Sequence, residues 1–200
     1  MTANNSTITI ETGYRPGFLA RCLEMHIAFY HPSVAWGLAF ETSLAKDFAD
    51  LIERLENNPR NQIWAAVQKA EGDDPAKFTQ QIVGTVLVDS ESLKTPNTAH
   101  IRGFIVDERV RGFGVGKKLL GTAMEFIQEK GFDKVTLFTT QAQGAAMHLY
   151  RKAGFVVERD EEKVVWEKPL KVLQLSWQRP GMSDQILPKK DEIDNKNGEQ

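Results

Sequence analysis

Hydrophobic and polar positions along the chain follow two periods, and their order predicts alternating strands and helices. Residues 7 to 11 (TITIE) alternate β-branched and polar side chains as a half-buried strand does, and the run Thr12 to Gly17, rich in glycine and proline, breaks it. From Phe18 to about Tyr30, Leu19, Cys22, Leu23, His26, Phe29 and Tyr30 recur at three- and four-residue steps. This predicts a first helix that His31-Pro32 should end. A second helix carries Leu44, Phe48, Leu51, Ile52 and Leu55 on one stripe opposite Lys46, Asp50, Glu53 and Arg54, and its apolar face should pack on a sheet. Residues 62–68 and 80–88 read as an antiparallel strand pair joined by an acidic loop. A strand over 99–106 runs into a glycine-rich turn, and Leu119, Leu120, Ala123, Phe126 and Ile127 mark the helix after it. Then come a strand at 134–140, a short helix at 145–152, a strand beginning at Gly154-Phe155 (FVVER) and a last strand near 171–177.

Composition narrows the class. The chain has 200 residues, enough for one well-buried core, so one domain over residues 7–178 is expected, with loosely ordered ends at 1–6 and 179–200. Lys and Arg total 25 against 27 Asp and Glu, so no basic excess points to nucleic acid. No apolar run reaches the roughly 18 residues of a membrane span. The single cysteine, Cys22, excludes an internal disulfide and a cysteine-based zinc site. The expectation is a cytoplasmic protein, monomer or homodimer, with no nucleic-acid, membrane or metal partner.

The segment from Arg111 to Lys118 (RGFGVGKK) sits where a strand gives way to a helix. The first amides of a helix lack intrahelical partners and its macrodipole is positive there, so phosphate oxygens are favoured. Glycine at alternate positions lets several amides converge on one centre. The bland alternative is a tight turn with solvated basic residues. A nucleoside-triphosphate loop is excluded because Gly116-Lys117 is followed by Lys118 and the required upstream glycine is Arg111. The dinucleotide fingerprint fails as well, since its third glycine position is Lys117.

With these residues in place, the chain resembles the GNAT superfamily of acyl-CoA-dependent N-acetyltransferases. The family's turn is Arg or Gln, two residues, Gly, one residue, Gly or Ala, and Arg111, Gly112, Phe113, Gly114, Val115 and Gly116 match it throughout. The apolar tripeptide Phe104-Ile105-Val106 precedes it at the family's distance. Downstream, Gln143-Gly144-Ala145-Ala146-Met147-His148-Leu149-Tyr150, followed by Gly154-Phe155, reproduces the family's Asn-x-x-Ala-x-x-Leu-Tyr-x-x-x-Gly-Phe with Gln143 in place of Asn. More narrowly, Arg15 to Trp64 and the ending near Trp177 look like the acetyltransferase half of bacterial MarR-GNAT fusion proteins. The resemblance implies a GNAT α/β fold: a mixed, mostly antiparallel sheet, splayed at the acetyl-CoA site and flanked by helices. It implies acetyl-CoA as cosubstrate, its pantetheine arm pairing with the backbone of 104–106 and its pyrophosphate held by amides from Gly112 to Lys117, with Gln143 and Tyr150 also at the cofactor site.

Attack of a neutral amine on a thioester requires a base for the ammonium, a donor for the oxyanion and an acid for the departing thiolate. Tyr150 matches the family's acid, and its alternative is a packing tyrosine. Some members carry a glutamate where this chain has Phe138, so the pattern supplies no base. Glu24, His26, Tyr30 and Glu41 from the first two helices, together with Arg102, stand as candidates for the acceptor wall. His26 also fits a satisfied core histidine, Glu41 a helix-start carboxylate, and Arg102 a solvated residue. The expected activity is acetylation of a primary amine on a small molecule. A protein or peptide acetyltransferase and a silent acyl-CoA-binding module are the alternatives.

Overall fold

The computed structural model describes residues 7–69, 80–141 and 143–181. The expected loosely ordered ends and the acidic loop at 70–79 lie outside them, apart from residues 179–181. In chain order the elements are β1 (Thr7–Thr12), α1 (Phe18–Val34), α2 (Leu38–Glu53), β2 (Gln62–Lys69), β3 (Gln80–Asp89) and β4 (Thr98–Val106). A short 3-10 turn (Glu108–Val110) leads to α3 (Val115–Glu129), β5 (Lys134–Thr140), α4 (Gly144–Lys152), β6 (Val156–Val165) and β7 (Lys168–Gln178). One sheet holds the strands in the order β1-β2-β3-β4-β5-β7-β6. Every neighbouring pair is antiparallel except β4 and β5.

Each face of the sheet has its own core. On one, Leu119, Leu120, Ala123 and Ile127 of α3 pack with Met147 and Tyr150 of α4 over Val83, Val86, Val135 and Leu137. On the other, Phe18 and Cys22 of α1 and Phe40, Leu44, Phe48 and Leu51 of α2 cover Ile63, Ala65, Val67 and Leu87. The expected stripe of α2 is therefore the face that packs. Phe48 keeps 2% of its surface exposed, and removing a buried ring of that size costs about 3–5 kcal/mol. At the end of β3, Asp89 is fully buried and meets Arg54 at 3.0 and 3.2 Å, Arg102 at 3.3 Å, and the amides of Glu91 and Ser92. Burial alone would raise its pKa. The Arg54 hydrogen bonds and the two amides outweigh that and hold it down at about 2.

Two elements run past their expected ends. Helix α1 continues through Pro32 to Val34. Proline forfeits only the bond its own N–H would make to the Ala28 carbonyl, and the turn continues around it: the Ser33 hydroxyl donates to Phe29 and Tyr30, and the Ala35 amide closes on His31. The last two strands extend to meet in a hairpin whose two-residue loop is Trp166-Glu167, both left-handed (φ 48 and 66). That turn type favours Asn-Gly, and neither residue announces it. Among the described residues, no helix is long and apolar enough to cross a membrane.

Candidate active site

The site begins as a break in the sheet. Strands β4 and β5 pair from Thr98 with Lys134 to Ile101 with Leu137, and no pairing continues beyond. On its other edge β4 carries a bulge, because Arg102 pairs with Leu87 but Ile105 pairs with Thr85. Gly103 makes the bulge possible. Its φ is +54, and a Cβ there would lie 2.2 Å from the Leu87 Cδ1. The Thr85 hydroxyl fixes the kink by donating to the Gly103 carbonyl at 2.8 Å. The extra residue reverses the alternation of side chains, so Phe104 and Val106 turn toward the α3 and α4 face while Ile105 turns toward α1 and α2.

Where the strands part, a cleft of about 680 Å³ opens along β4, the glycine turn and α4. Phe104, Ile105, Val106, Arg111, Gly112, Gly114, Val115, Gly116, Lys117 and Gln143 all line it. Gly112 and Gly114 are left-handed (φ +88 and +75), and a Cβ at either would meet open space, so the glycines serve conformation there. The first bond of the α3 start runs from the Lys118 amide to Gly114 at 3.1 Å; the Phe113 amide before it is taken by Val110 at 3.4 Å, and the amides of residues 115–117 are left to a ligand. Asp107 anchors the turn. It accepts from the Arg109 backbone and guanidinium and from Arg21 of α1, which itself donates to Ile82 at 2.8 Å. Arg109 and Arg21 hold the Asp107 carboxyl down at about 2 against the opposing effect of burial. This wall, an open strand edge leading to free amides at a helix start, fits a pantetheine arm and a pyrophosphate.

Phe113 points away: it is 73% exposed and does not line the cleft. Arg111 lines it but pairs with Glu108 at 3.0 Å and lies over the Phe29 ring. Tyr150 sits behind the lining, 3% exposed, with its ring against Phe104 and Phe155. Burial, with Tyr30 adding to it, raises its pKa above that of a free phenol, so its proton is retained at neutral pH. Phe29, Val110 and His148 also line the cleft, unforeseen in sequence. Phe29 comes from the α1 layer, and no local motif marks such a contact.

None of Glu24, His26, Glu41 and Arg102 lines this cleft, and each has another setting. Glu24 is exposed and paired with Arg21 at 2.8 Å. His26 is the core histidine: its Nδ1–H donates to the Cys22 carbonyl at 2.7 Å, its ring packs on Tyr30 and Phe48, and burial pushes its pKa down to about 4. Cys22 beside it is buried, its thiol pushed up to about 12. Glu41 is exposed in the first turn of α2, where the helix field favours a carboxylate. Arg102 is neither solvated nor turned to Glu41, because Asp47 (2.7 Å) and Asp89 hold it. Tyr30 does not line the cleft either, although one of its partners does. It is buried among Phe29, Trp36 and Phe40, with Trp166 of the hairpin packing on Trp36 and Phe40, and its hydroxyl accepts from the Gln143 amide. Among the described residues no cluster of His, Cys, Asp or Glu is arranged to hold a metal ion.

A family model described as the acetyltransferase (GNAT) family matches residues 29–155. Human N-acetyltransferase 8B is 28% identical over 120 residues, covering 60% of this chain and 49% of that protein. Rat N-acetylaspartate synthetase is 30% identical over 115 residues, covering 58% of this chain and 34% of that protein. The chain thus spans half or less of the length of these two relatives. Among solved structures, a Bacillus subtilis acetyltransferase in complex with CoA superposes with a TM-score of 0.52 at 20% identity, over 86% of this chain and 99% of that one.

Proposed function

The chain belongs to the GNAT acetyltransferase family, and from that premise we propose that it moves an acetyl group from acetyl-CoA to a primary amine of a small molecule. The observation that carries this reading is the cleft itself: an unpaired strand edge and free helix amides meet where β4 and β5 separate, with the buried Tyr150 packed behind Phe104 of the lining. The backbone of 104–106 pairs with the pantetheine arm, and the amides of residues 112 to 117, Phe113 excepted, hold the pyrophosphate. Lys117 adds charge at the cleft mouth. Tyr150, protonated at neutral pH, gives its proton to the departing thiolate and recovers it from solvent. The acceptor enters from the α1 and α2 face, where the cluster of Tyr30, Trp36, Phe40 and Trp166 leaves little room for an extended polypeptide and favours a compact amine. The neighbour solved with CoA and the relative named for N-acetylaspartate support donor and acceptor class respectively.

The reading includes a cytoplasmic setting, supported by a lone thiol that needs no oxidising compartment. It also includes the narrower likeness to the acetyltransferase half of MarR-GNAT fusion proteins, supported by residues 15 to 64 and Trp177. Its test is release of free thiol from acetyl-CoA across a panel of small amines and short peptides. Turnover with a small amine supports it, turnover with peptides alone moves the acceptor to protein, and thiol release with neither overturns it.

A further inference from the structure

Two side-chain layers that a sheet normally keeps apart touch at one point in this molecule. Tyr30 belongs to the core between α1, α2 and the sheet, whereas Gln143 caps α4 on the opposite face. Their side chains nevertheless meet, the Gln143 Nε2 donating to the Tyr30 hydroxyl oxygen. With β4 and β5 unpaired beyond Ile101 and Leu137, that contact runs through the opening in the sheet.

Counting donors fixes what is left over. The Thr139 hydroxyl donates to the Gln143 Oε1 at 2.8 Å, which orients the amide with its NH2 toward Tyr30. Tyr30 therefore spends a lone pair on Gln143 and keeps its O–H for another acceptor. Gln143 is free for this because its side chain makes no cap bond at the start of α4. An asparagine, one methylene shorter, would fall short of the opposite layer. Tyr30 keeps only 7% of its surface exposed and lies close enough to Tyr150 to bear on its ionisation.

Resting on the acetyl-transfer reading above, we propose that Tyr30, positioned by Gln143 and Thr139, donates its hydroxyl hydrogen to the thioester carbonyl oxygen of acetyl-CoA. The division of labour follows from the two layers. Tyr150 stands on the α4 side, where the CoA arm and its sulfur run; Tyr30 reaches from the acceptor side, toward which the acetyl end projects. As the amine nitrogen forms its bond to the carbonyl carbon, the carbonyl π electrons move to oxygen and the Tyr30 hydrogen bond strengthens. The C–S bond then breaks, the C=O bond reforms, the thiolate takes the Tyr150 proton and the amine proton leaves to solvent. Tyr30 keeps its proton throughout. Trading a carbonyl for a developing oxyanion favours such a donor selectively in the transition state.

The experiment is isotope-edited infrared spectroscopy of acetyl-CoA carrying 13C at the acetyl carbonyl, bound to wild type and to Y30F, with binding measured by calorimetry and turnover on the amine panel. The wild-type carbonyl band should shift to lower frequency on binding, and Y30F, which keeps the ring and its packing, should bind acetyl-CoA within threefold while losing that shift. Where turnover is measurable, kcat should fall on the order of 100-fold in Y30F with the KM for acetyl-CoA little changed. T139V should lose part of both effects and T139S, which keeps the hydroxyl, should recover them. An identical band in wild type and Y30F overturns the proposal. Failure of wild type to bind acetyl-CoA overturns it together with the donor assignment, whereas a Tyr30-dependent shift without acetylation of any amine supports it and retires only the acceptor assignment.

Discussion

The two walls of the sheet opening are made of different materials. The wall formed by β4, the glycine turn and α4 presents main chain: an unpaired strand edge, helix amides and glycines whose φ angles no other residue adopts easily. The side formed by α1, α2, the linker between them and the β6–β7 hairpin is made of packed side chains, five aromatic rings of which Phe29 lines the cleft. A backbone site is local and tolerates change at most side chains, so it leaves a compact motif. A side-chain site is assembled by packing and can be rebuilt for another acceptor without disturbing the first. One fold can in this way keep its donor while exchanging its acceptor.

Breaking the seam between the walls should have the largest effect. Gly103→Val places a branched Cβ against Leu87 at a left-handed position and should cost more than about 4 kcal/mol, read as a collapse of the urea midpoint. Tyr150→Phe should leave acetyl-CoA binding near wild type and lower kcat by about 100- to 10,000-fold, read by steady-state kinetics with calorimetry. Gly114→Val tests the backbone wall: forcing a β-branched residue to a φ of +75 costs roughly 1–3 kcal/mol, so acetyl-CoA affinity should fall while the folded state persists.

Acid should loosen the side-chain wall. His26 in that wall and His100 on β4, packed on Phe138, are held neutral in the native state, burial lowering their pKa to about 4 and about 3. The unfolded chain takes up protons near pH 6.5 that these residues refuse. Stability is therefore intact above about 6.5 and declines as pH falls toward 4. Denaturation midpoints across that range should show the decline, with a shallower slope in His26→Gln. The smallest effect belongs to Glu41→Gln: unchanged kinetics and a loss of about 0.3–1 kcal/mol from the start of α2, read by thermal melting. A fall in turnover with a cationic amine would return Glu41 to the acceptor wall.

The same contrast explains what was readable in advance. Strand, glycine turn and helix follow one another without interruption from Thr98 to Glu129, and the order of the strands and α-helices, though not the 3-10 turn, is legible in the sequence. Helix α1 outran its proline because a proline forfeits a single bond, while the turn around it still closes from Ala35 to His31, and periodicity does not register this. The hairpin was truncated in the sequence reading because Trp166-Glu167 is an unusual pair for two left-handed residues. Arg102 escaped because its partners, Asp47 and Asp89, lie on other elements. The Tyr30 to Gln143 contact spans 113 residues and exists only because two strands part, so no window along the chain contains it.

The outer strand β6 has a consequence for the molecule in a crowded solution. It ends the sheet, and an end strand offers unspent backbone groups to any passing chain. Its centre reads Glu158-Arg159-Asp160-Glu161-Glu162-Lys163, an unbroken run of charge. Four of these are already paired: Glu158 with Lys134, Asp160 with Lys171, and Glu161 with Lys163. A newcomer strand adding there would have to strip water from the whole run and find countercharges in register. An edge of the sheet that invites pairing is thereby ill suited to accept a stranger.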